Sequence, residues 1–348
     1  MISPPLAASI LAYRRQRYSQ AEIIRILGVS KSTIYRHTHQ HVGHIRVTQR
    51  QEAARRIGGV VRPQLTGTCC AAAEAMSLPA PATTDAHSFY LCALHSLRHA
   101  KIDFLVGGAY ALERYTGIAR DTKDLDVFVR PEDCERVLAA FAEAGFDTEL
   151  TFPHWLGKAR SGGEMVDVIF SSGNGCARVD DEWFRHAVDD QVLDVPVRLI
   201  PVEEMIWSKA LIMERERYDG ADVVHLLRAR GADLDWPRVL RRFGPNWRVL
   251  LSHLILFGFV YPGHRDVIPQ GVMRELTARL DRETRAPTVD GDDARLCRGT
   301  LLSREQYLVD VERWGYRDAR LGPEGTMTEA DVAAWTAAIE GRLPTSAR

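Results

Sequence analysis

The sequence predicts a body of mixed α and β elements, α/β or α+β, built on one sheet, with a small helical head before it and a mostly helical region after it. Three observations predict this. Between residues 87 and 201, short apolar runs rich in Val, Ile and Phe alternate with segments of helical period. Residues 1–65 carry 11 Lys/Arg against two acids, Glu22 and Glu52, a net of +9 that sets them apart from everything that follows. From Val202 onward helical spacing dominates.

The length, 348 residues, allows two or three compact units. A hydrophobic content of 45% with 26% charged residues is that of a globular chain and excludes a disordered one. The formal net charge of −1 hides the asymmetry: beyond residue 65 there are 34 basic and 44 acidic residues, a net of −10. A basic head on an acidic body points the head toward a polyanion. The six cysteines show no CxxC pair or metal spacing and read as free thiols of a reducing compartment. The most apolar stretch, Val249 to Gly263, is too short to span a bilayer and contains His253. With no secretory leader visible, a cytoplasmic protein without a membrane partner is expected.

In the head, "YSQAEIIRILGVSKSTIYRHT" (18–38) predicts two short helices around a tight turn. Ser19 with Glu22 forms a capping-box pattern, Gly28 ends the first helix, and Ser30 caps the second. This stretch resembles the helix-turn-helix of resolvases and transposases, with Ile24 where that family keeps a small residue. The resemblance implies DNA binding through Lys31, Ser32, Thr33, Tyr35 and Arg36. A small helical domain that binds a protein is the other reading. Residues 66–86, free of Lys and Arg and rich in Ala and Thr, read as a linker.

The body then runs helix ("HSFYLCALHSLRHAK"), strand ("IDFLVGG"), helix ("AYALERY"), strand ("DLDVFVR"), helix (Pro131 to Gly145), strand ("EMVDVIFSS") and a last strand ("VLDVPVRLIP"). In the third region, "PVEEMIWSKALIMERERYDGADVVHLLRARG" predicts two helices around Gly220, and capping-box patterns place helix starts at Ser303 and Thr328.

The chemistry concentrates in "VGGAYALERYTGIARDTKDLDVFV". Side chains two apart on a strand share a face, so Asp124 and Asp126 project together while Leu125 and Val127 turn inward. Two adjacent carboxylates repel unless a cation lies between them, and Mg2+ prefers such oxygens. Asp is disfavoured in strands, which weakens the alternative of a solvated acidic edge. Asp167 is a lone acid in a second apolar strand. If the two strands lie side by side, three carboxylates can hold two metal ions for phosphoryl or nucleotidyl transfer. Gly107 and Gly108 stand at a strand-to-helix junction, where missing Cβ atoms let phosphate oxygens approach the backbone. Arg120, Thr122 and Lys123 are candidate phosphate contacts; the two basic residues read equally well as solvated loop residues.

Gly107-Gly108, "RDTKDLDVFV" and "MVDVIF" together resemble the nucleotidyltransferase superfamily that includes DNA polymerase β and the aminoglycoside adenylyltransferases. The resemblance covers about residues 87–230. It implies an α+β fold, a mixed β-sheet with flanking helices, Asp124, Asp126 and Asp167 as catalytic residues and ligands of two Mg2+ ions, an NTP substrate, and Asp167 placed to assist the nucleophile. Lys209, Arg215, Arg217, Asp219 and Asp222 resemble more closely the signature of the nucleotidyltransferase toxins of type IV toxin–antitoxin and abortive-infection systems. That likeness implies Lys209 and Asp219 as nucleotide-binding residues and an antitoxin as a partner. A salt-bridged helix pair is the alternative for these five.

The resulting expectation has four parts: a helix-turn-helix head (1–65), a linker (66–86), a nucleotidyltransferase core (87–201) and a mostly helical C-terminal region (202–348). The chain is expected to move an NMP from an NTP to an acceptor hydroxyl on an RNA end, a protein or a small molecule, in a toxin- or defence-like role. The competing expectation is a DNA-binding regulator whose nucleotidyltransferase-like body senses nucleotides without turnover.

Overall fold

The computed structural model describes residues 86–120, 122–287 and 291–339. The chain divides into two units between Ser77 and Leu78, and every described residue belongs to the second. The expected helix-turn-helix, its residues Lys31, Ser32, Thr33, Tyr35 and Arg36, and the linker up to residue 85 lie outside the described residues.

Helix α1 (Ala86–His99) buries Phe89, Tyr90, Ala93, Leu94 and Leu97, a stripe at helical spacing. It leads into β1 (Leu105–Val106), α2 (Gly108–Thr116) and β2 (Asp124–Phe128). A single 3-10 turn at Pro131–Asp133 starts α3 (Cys134–Glu143), where proline suits the first turn because its missing N–H is not needed. The strands β3 (Asp147–Phe152), β4 (Leu156–Ser161) and β5 (Glu164–Ile169) follow, then α4 (Asp181–Arg185), β6 (Val188–Val192) and β7 (Val195–Leu199). Helices α5 (Val202–Ala210), α6 (Gly220–Arg230), α7 (Trp236–Phe243), α8 (Trp247–Val260) and α9 (Gln270–Arg285) make up the next region. Beyond them lie β8 (Leu296–Cys297), α10 (Leu308–Glu312), β9 (Arg317–Asp318) and α11 (Glu329–Ala337).

The fold is α+β with a mixed sheet. Seven strands run in the order β3-β4-β5-β2-β1-β7-β6. β2 pairs β5 in parallel and β1 pairs β7 in parallel, while β1–β2, β3–β4, β4–β5 and β6–β7 are antiparallel. Leu125, Val127, Val166 and Val168, on the two central strands, are fully buried. One hydrophobic core runs from Phe89 in α1 to Leu276 in α9, so the sheet and the helices from α5 to α9 share it. Arg238 and Arg242 of α7 secure α5: Arg238 pairs with Glu203, and Arg242 Nε donates to Glu204 Oε1 at 3.0 Å. Both glutamates are buried, and a buried carboxylate persists only when paired. The four described cysteines, Cys92, Cys134, Cys176 and Cys297, are free. Among the described residues no helix is long and apolar enough to cross a membrane.

Three elements differ from the sequence expectation. The single strand expected at Val192 to Pro201 is the second half of a hairpin whose two-residue turn, Leu193 (φ 53°) and Asp194 (φ 63°), lies in the left-handed region. Leucine rarely adopts that backbone, so the turn carried no glycine signal. The helix carrying Lys209 stops at Ala210, and 211–219 form a loop closed by an isolated Met213–Tyr218 bridge and by Asp219 N donating to Ile212 O at 3.2 Å. At Ser303 the hydroxyl does accept from Gln306 N at 3.1 Å, yet only a turn forms there and α10 begins at Leu308. The box at Thr328 and Asp331 does start a helix, α11.

Leu125→Ala removes a fully buried side chain from the central strand directly between the two aspartates. It is expected to cost about 2–5 kcal/mol of unfolding free energy, measured by urea titration; a loss under about 1 kcal/mol would mean the strand is not packed as described.

Candidate active site

The register of the sheet assembles the site. Lys158 on β4 lies opposite Asp167 on β5, and Asp167 lies opposite Asp126 on β2. Gly107 N donates to Asp126 O at 3.0 Å and extends the row to the end of β1. Neighbouring strands are about 4.8 Å apart, so these side chains stand next to each other. Asp124 joins them on the same face, and Thr122 Oγ1 donates to its Oδ1 at 2.6 Å. The three sequence-predicted carboxylates are therefore brought together.

Gly108 has φ +56°, and a Cβ built there would lie 1.7 Å from Asp126 Oδ2. This position needs glycine twice, for its backbone and for the space the carboxylate occupies. Gly107 is needed for packing, since a Cβ would lie 2.3 Å from Phe128 Cε2. The pair starts α2 with its N-terminal end beside Asp126.

Crowding shows in the acidity of the carboxyls. Burial raises Asp126 to about 7, and the charges of Asp124 and Asp167 add to the effect, against Lys209 and Arg217. Burial also raises Asp167 above the usual carboxylate range, although Lys158 Nζ donates to its Oδ1 at 2.6 Å and opposes the shift.

A second group is a chain of alternating charges. Lys209, at the end of α5, donates to Asp219 Oδ2 and to Asp222 Oδ2, both at 2.9 Å. Arg217 forks onto Asp219 with two bonds of 3.0 Å. Arg120 reaches Asp222 Oδ1 at 2.5 Å. Burial pushes the Asp219 carboxyl up, but Arg217 and Lys209 more than offset this and hold it below its ordinary value. Because Lys209 and Arg217 lower the Asp126 carboxyl, this cluster faces the carboxylate row electrostatically. Beside α2 a cavity of about 200 Å3 is lined by Tyr90, Tyr110, Glu113, Arg120, Thr122 and Leu193, among others.

Of the predicted phosphate contacts, Arg120 and Thr122 thus join the assembly, whereas Lys123 is exposed and makes no hydrogen bond or ion pair with the described residues. Two participants carry more weight than their sequence context conveys. Lys158 sits between Gly157 and Ala159; only the pairing of β4 with β5 aims it at Asp167. Arg217 lies on a loop where a helix was expected.

Among the described residues no group of three or more His, Cys, Asp or Glu side chains is arranged as a formed metal centre. The residues nonetheless fit Mg2+ chemically. The donors are hard carboxylate oxygens, Asp124 and Asp126 share one face, and a carboxyl raised to about 7 by burial and by its neighbours' charges is one that a divalent ion would ionise. Asp167 fits less directly, with Oδ1 engaged by Lys158.

No known family profile matches the chain, and no curated protein matches it. Several solved structures align with it loosely. The antibiotic-resistance factor ANT(2'')-Ia in solution is 16% identical over 48% of this chain and 95% of its own, with a TM-score of 0.36. The lincosamide antibiotic adenylyltransferase LnuA, lincomycin-bound, is 16% identical over 41% of this chain and 96% of its own, with a TM-score of 0.31. An antigenic nucleotidyltransferase-like protein from Paracoccidioides brasiliensis is 16% identical over 50% of this chain and 94% of its own, with a TM-score of 0.29. At such scores the likenesses carry nothing about activity, which rests on the residues of this chain.

Gly108→Ala is expected to lower the melting temperature more than Gly145→Ala. Both positions have positive φ, but a Cβ at Gly145 meets nothing within 4 Å, so the control isolates the backbone strain of about 1–2 kcal/mol from the clash with Asp126. Equal losses would remove the argument for Gly108.

The Asp126 carboxyl, near 7 in the folded chain against 3.8 ordinarily, makes the folded state bind the extra proton between those values. The metal-free fold therefore loses stability as pH rises from about 4 to about 7. A divalent ion competes with that proton, so Mg2+ should raise the melting temperature more at pH 8 than at pH 6. A larger Mg2+ effect at pH 6 would contradict the assignment.

Proposed function

We propose that the body is an Mg2+-dependent nucleotidyltransferase that moves an NMP from an NTP to an acceptor hydroxyl. The observation that carries this reading is the row Lys158–Asp167–Asp126–Gly107 across four neighbouring strands, with Asp124 on the same face. Bound at Asp124 and Asp126, Mg2+ would neutralise the triphosphate and the leaving pyrophosphate. The remaining work falls to the protein's own residues. The N-terminal end of α2, which starts at Gly108, offers phosphate oxygens its first backbone N–H groups, which have no intrahelical partner. Lys209 and Arg217, whose charges act on Asp126, form a cationic wall that favours the charge accumulating around the α-phosphorus. Asp167, held at Oδ1 by Lys158, is set to accept the proton of the acceptor hydroxyl. The hydroxyl oxygen bonds to the α-phosphorus, the bond to the β-phosphate oxygen breaks, and pyrophosphate departs.

The acceptor is an RNA end, a protein side chain or a small molecule. A basic head fused to an acidic catalytic body favours a toxin- or defence-like role, with an antitoxin as a possible partner, and binding of duplex DNA through residues 1–65. A second reading, a DNA-binding regulator with a nucleotide-sensing body, draws on the same +9 head. Turnover separates the two.

Incubation with each α-labelled NTP, Mg2+ and separate pools of RNA, lysate protein and aminoglycoside is expected to label one pool. Asp124→Asn with Asp126→Asn should abolish that labelling while circular dichroism remains unchanged. Labelling that survives the double substitution would reject the carboxylate assignment, and binding without labelling would favour the sensor.

Binding of the full chain to duplex DNA is expected to weaken about 10³-fold or more between 50 and 200 mM salt if residues 1–65 make six or more phosphate contacts. A salt-insensitive interaction would return the head to protein binding.

A further inference from the structure

Two irregular loops frame the site. Residues 170–179 lead the chain away from β5 just after Asp167, and residues 211–219 carry Arg217 and Asp219. The C-terminal segment bonds to both. Asn174 Nδ2 donates to Leu301 O at 2.6 Å. Thr326 Oγ1 donates to Gly175 O at 2.9 Å, and a Cβ on Gly173 would lie 2.7 Å from Trp335 Cζ2. On the second loop, Met213 N donates to Leu302 O at 3.0 Å. Glu214 accepts there through both oxygens, from Ser303 Oγ at 2.5 Å and from Arg304 N at 2.9 Å.

Four consecutive residues, Leu301 to Arg304, therefore hold one loop with the first carbonyl and the other loop with the remaining three. The run is itself braced. Ser303 is buried, Arg304 lies 4.0 Å over the Trp335 ring and donates to Trp335 O at 3.3 Å, and the buried Asp318–Arg320 pair forks at 2.6–3.0 Å in the same segment. The Glu214 carboxylate has no cationic partner among the described residues and gives both oxygens to neutral donors, while Arg215, Glu216, Arg217 and Tyr218 beside it are exposed. It ties the loop to Ser303 and Arg304, while Asp219 at the loop's end is held by Lys209.

We infer that Leu301–Arg304 staples the loop bearing Arg217 and Asp219 to the strand end behind Asp167, and that Glu214 is the positioning residue that sets the cationic wall against the carboxylate row. The staple itself stands on the bonds above; its effect on an NTP rests on the nucleotidyltransferase reading. Charge-assisted hydrogen bonds of this length are the stronger kind and suit a fixed spacing between two loops.

Amide hydrogen exchange of the full chain tests the staple without any activity. In Glu214→Ala, exchange of the Met213 amide and its loop neighbours should rise at least tenfold, with α3 unchanged; Glu214→Gln, which keeps an acceptor, should restore most of the protection. Should Glu214→Ala fail to fold, Ser303→Ala, which removes one donor, should give a smaller rise in the same loop. Unchanged exchange overturns the staple. In turnover, KM for the NTP should rise about tenfold in Glu214→Ala with kcat within about threefold, and Glu214→Gln should recover it. Faster exchange with unchanged KM overturns the positioning role. A wild-type chain without NTP turnover sinks the nucleotidyltransferase reading instead, and the exchange result still decides the staple.

Discussion

Asp126 and Asp167 sit side by side because β2 and β5 pair in parallel with these two residues in register, and Asp124 shares their face. Burial, with repulsion from Asp124 and Asp167 added to it, raises the Asp126 carboxyl to about 7. Much of the surrounding structure answers that repulsion. Lys158 neutralises one end of the row at 2.6 Å. The charges of Lys209 and Arg217 oppose it at Asp126. Gly108 leaves room for a carboxylate oxygen that any side chain would displace.

The cations do not stand free. Arg120, Asp222, Lys209, Asp219 and Arg217 alternate in sign, so each charge has an opposite neighbour. Such a chain tolerates burial, because the desolvation of each group is offset by its partners. It also ties together three parts of the fold: the turn before β2, the end of α5 and the start of α6. The buried Glu203 and Glu204, held by Arg238 and Arg242, extend the same logic down α5 toward Lys209. Electrostatic pairing, laid over a single apolar core, sets the position of the site.

Much of this was legible one element at a time. The alternation in "DLDVFV" places both aspartates on one face because strand geometry allows nothing else. The lone Asp167 in an apolar run stood out for the same reason, and the glycine pair marked a junction that does carry a left-handed glycine. Lys158 was much less legible. Its contact is with a residue nine positions away, and its direction depends on the β4–β5 register. The composition of 211–219 is helix-compatible; a bridge, Met213 to Tyr218, and bonds to residues some ninety positions away override that propensity. The turn at Leu193 and Asp194 lacked the residues that usually announce it.

By itself, the sequence determined a mixed α and β body on one sheet, the candidate carboxylates and the glycine junction, since each follows from the period and stereochemistry of a few adjacent residues. Tertiary structure alone decided which strands lie together, that Lys158 pairs with Asp167 and Arg217 with Asp219, and that residues 301–304 bond to both loops. Most of these are pairings between distant segments. They depend on the register of a seven-stranded sheet and on a shared core, and no local pattern encodes either.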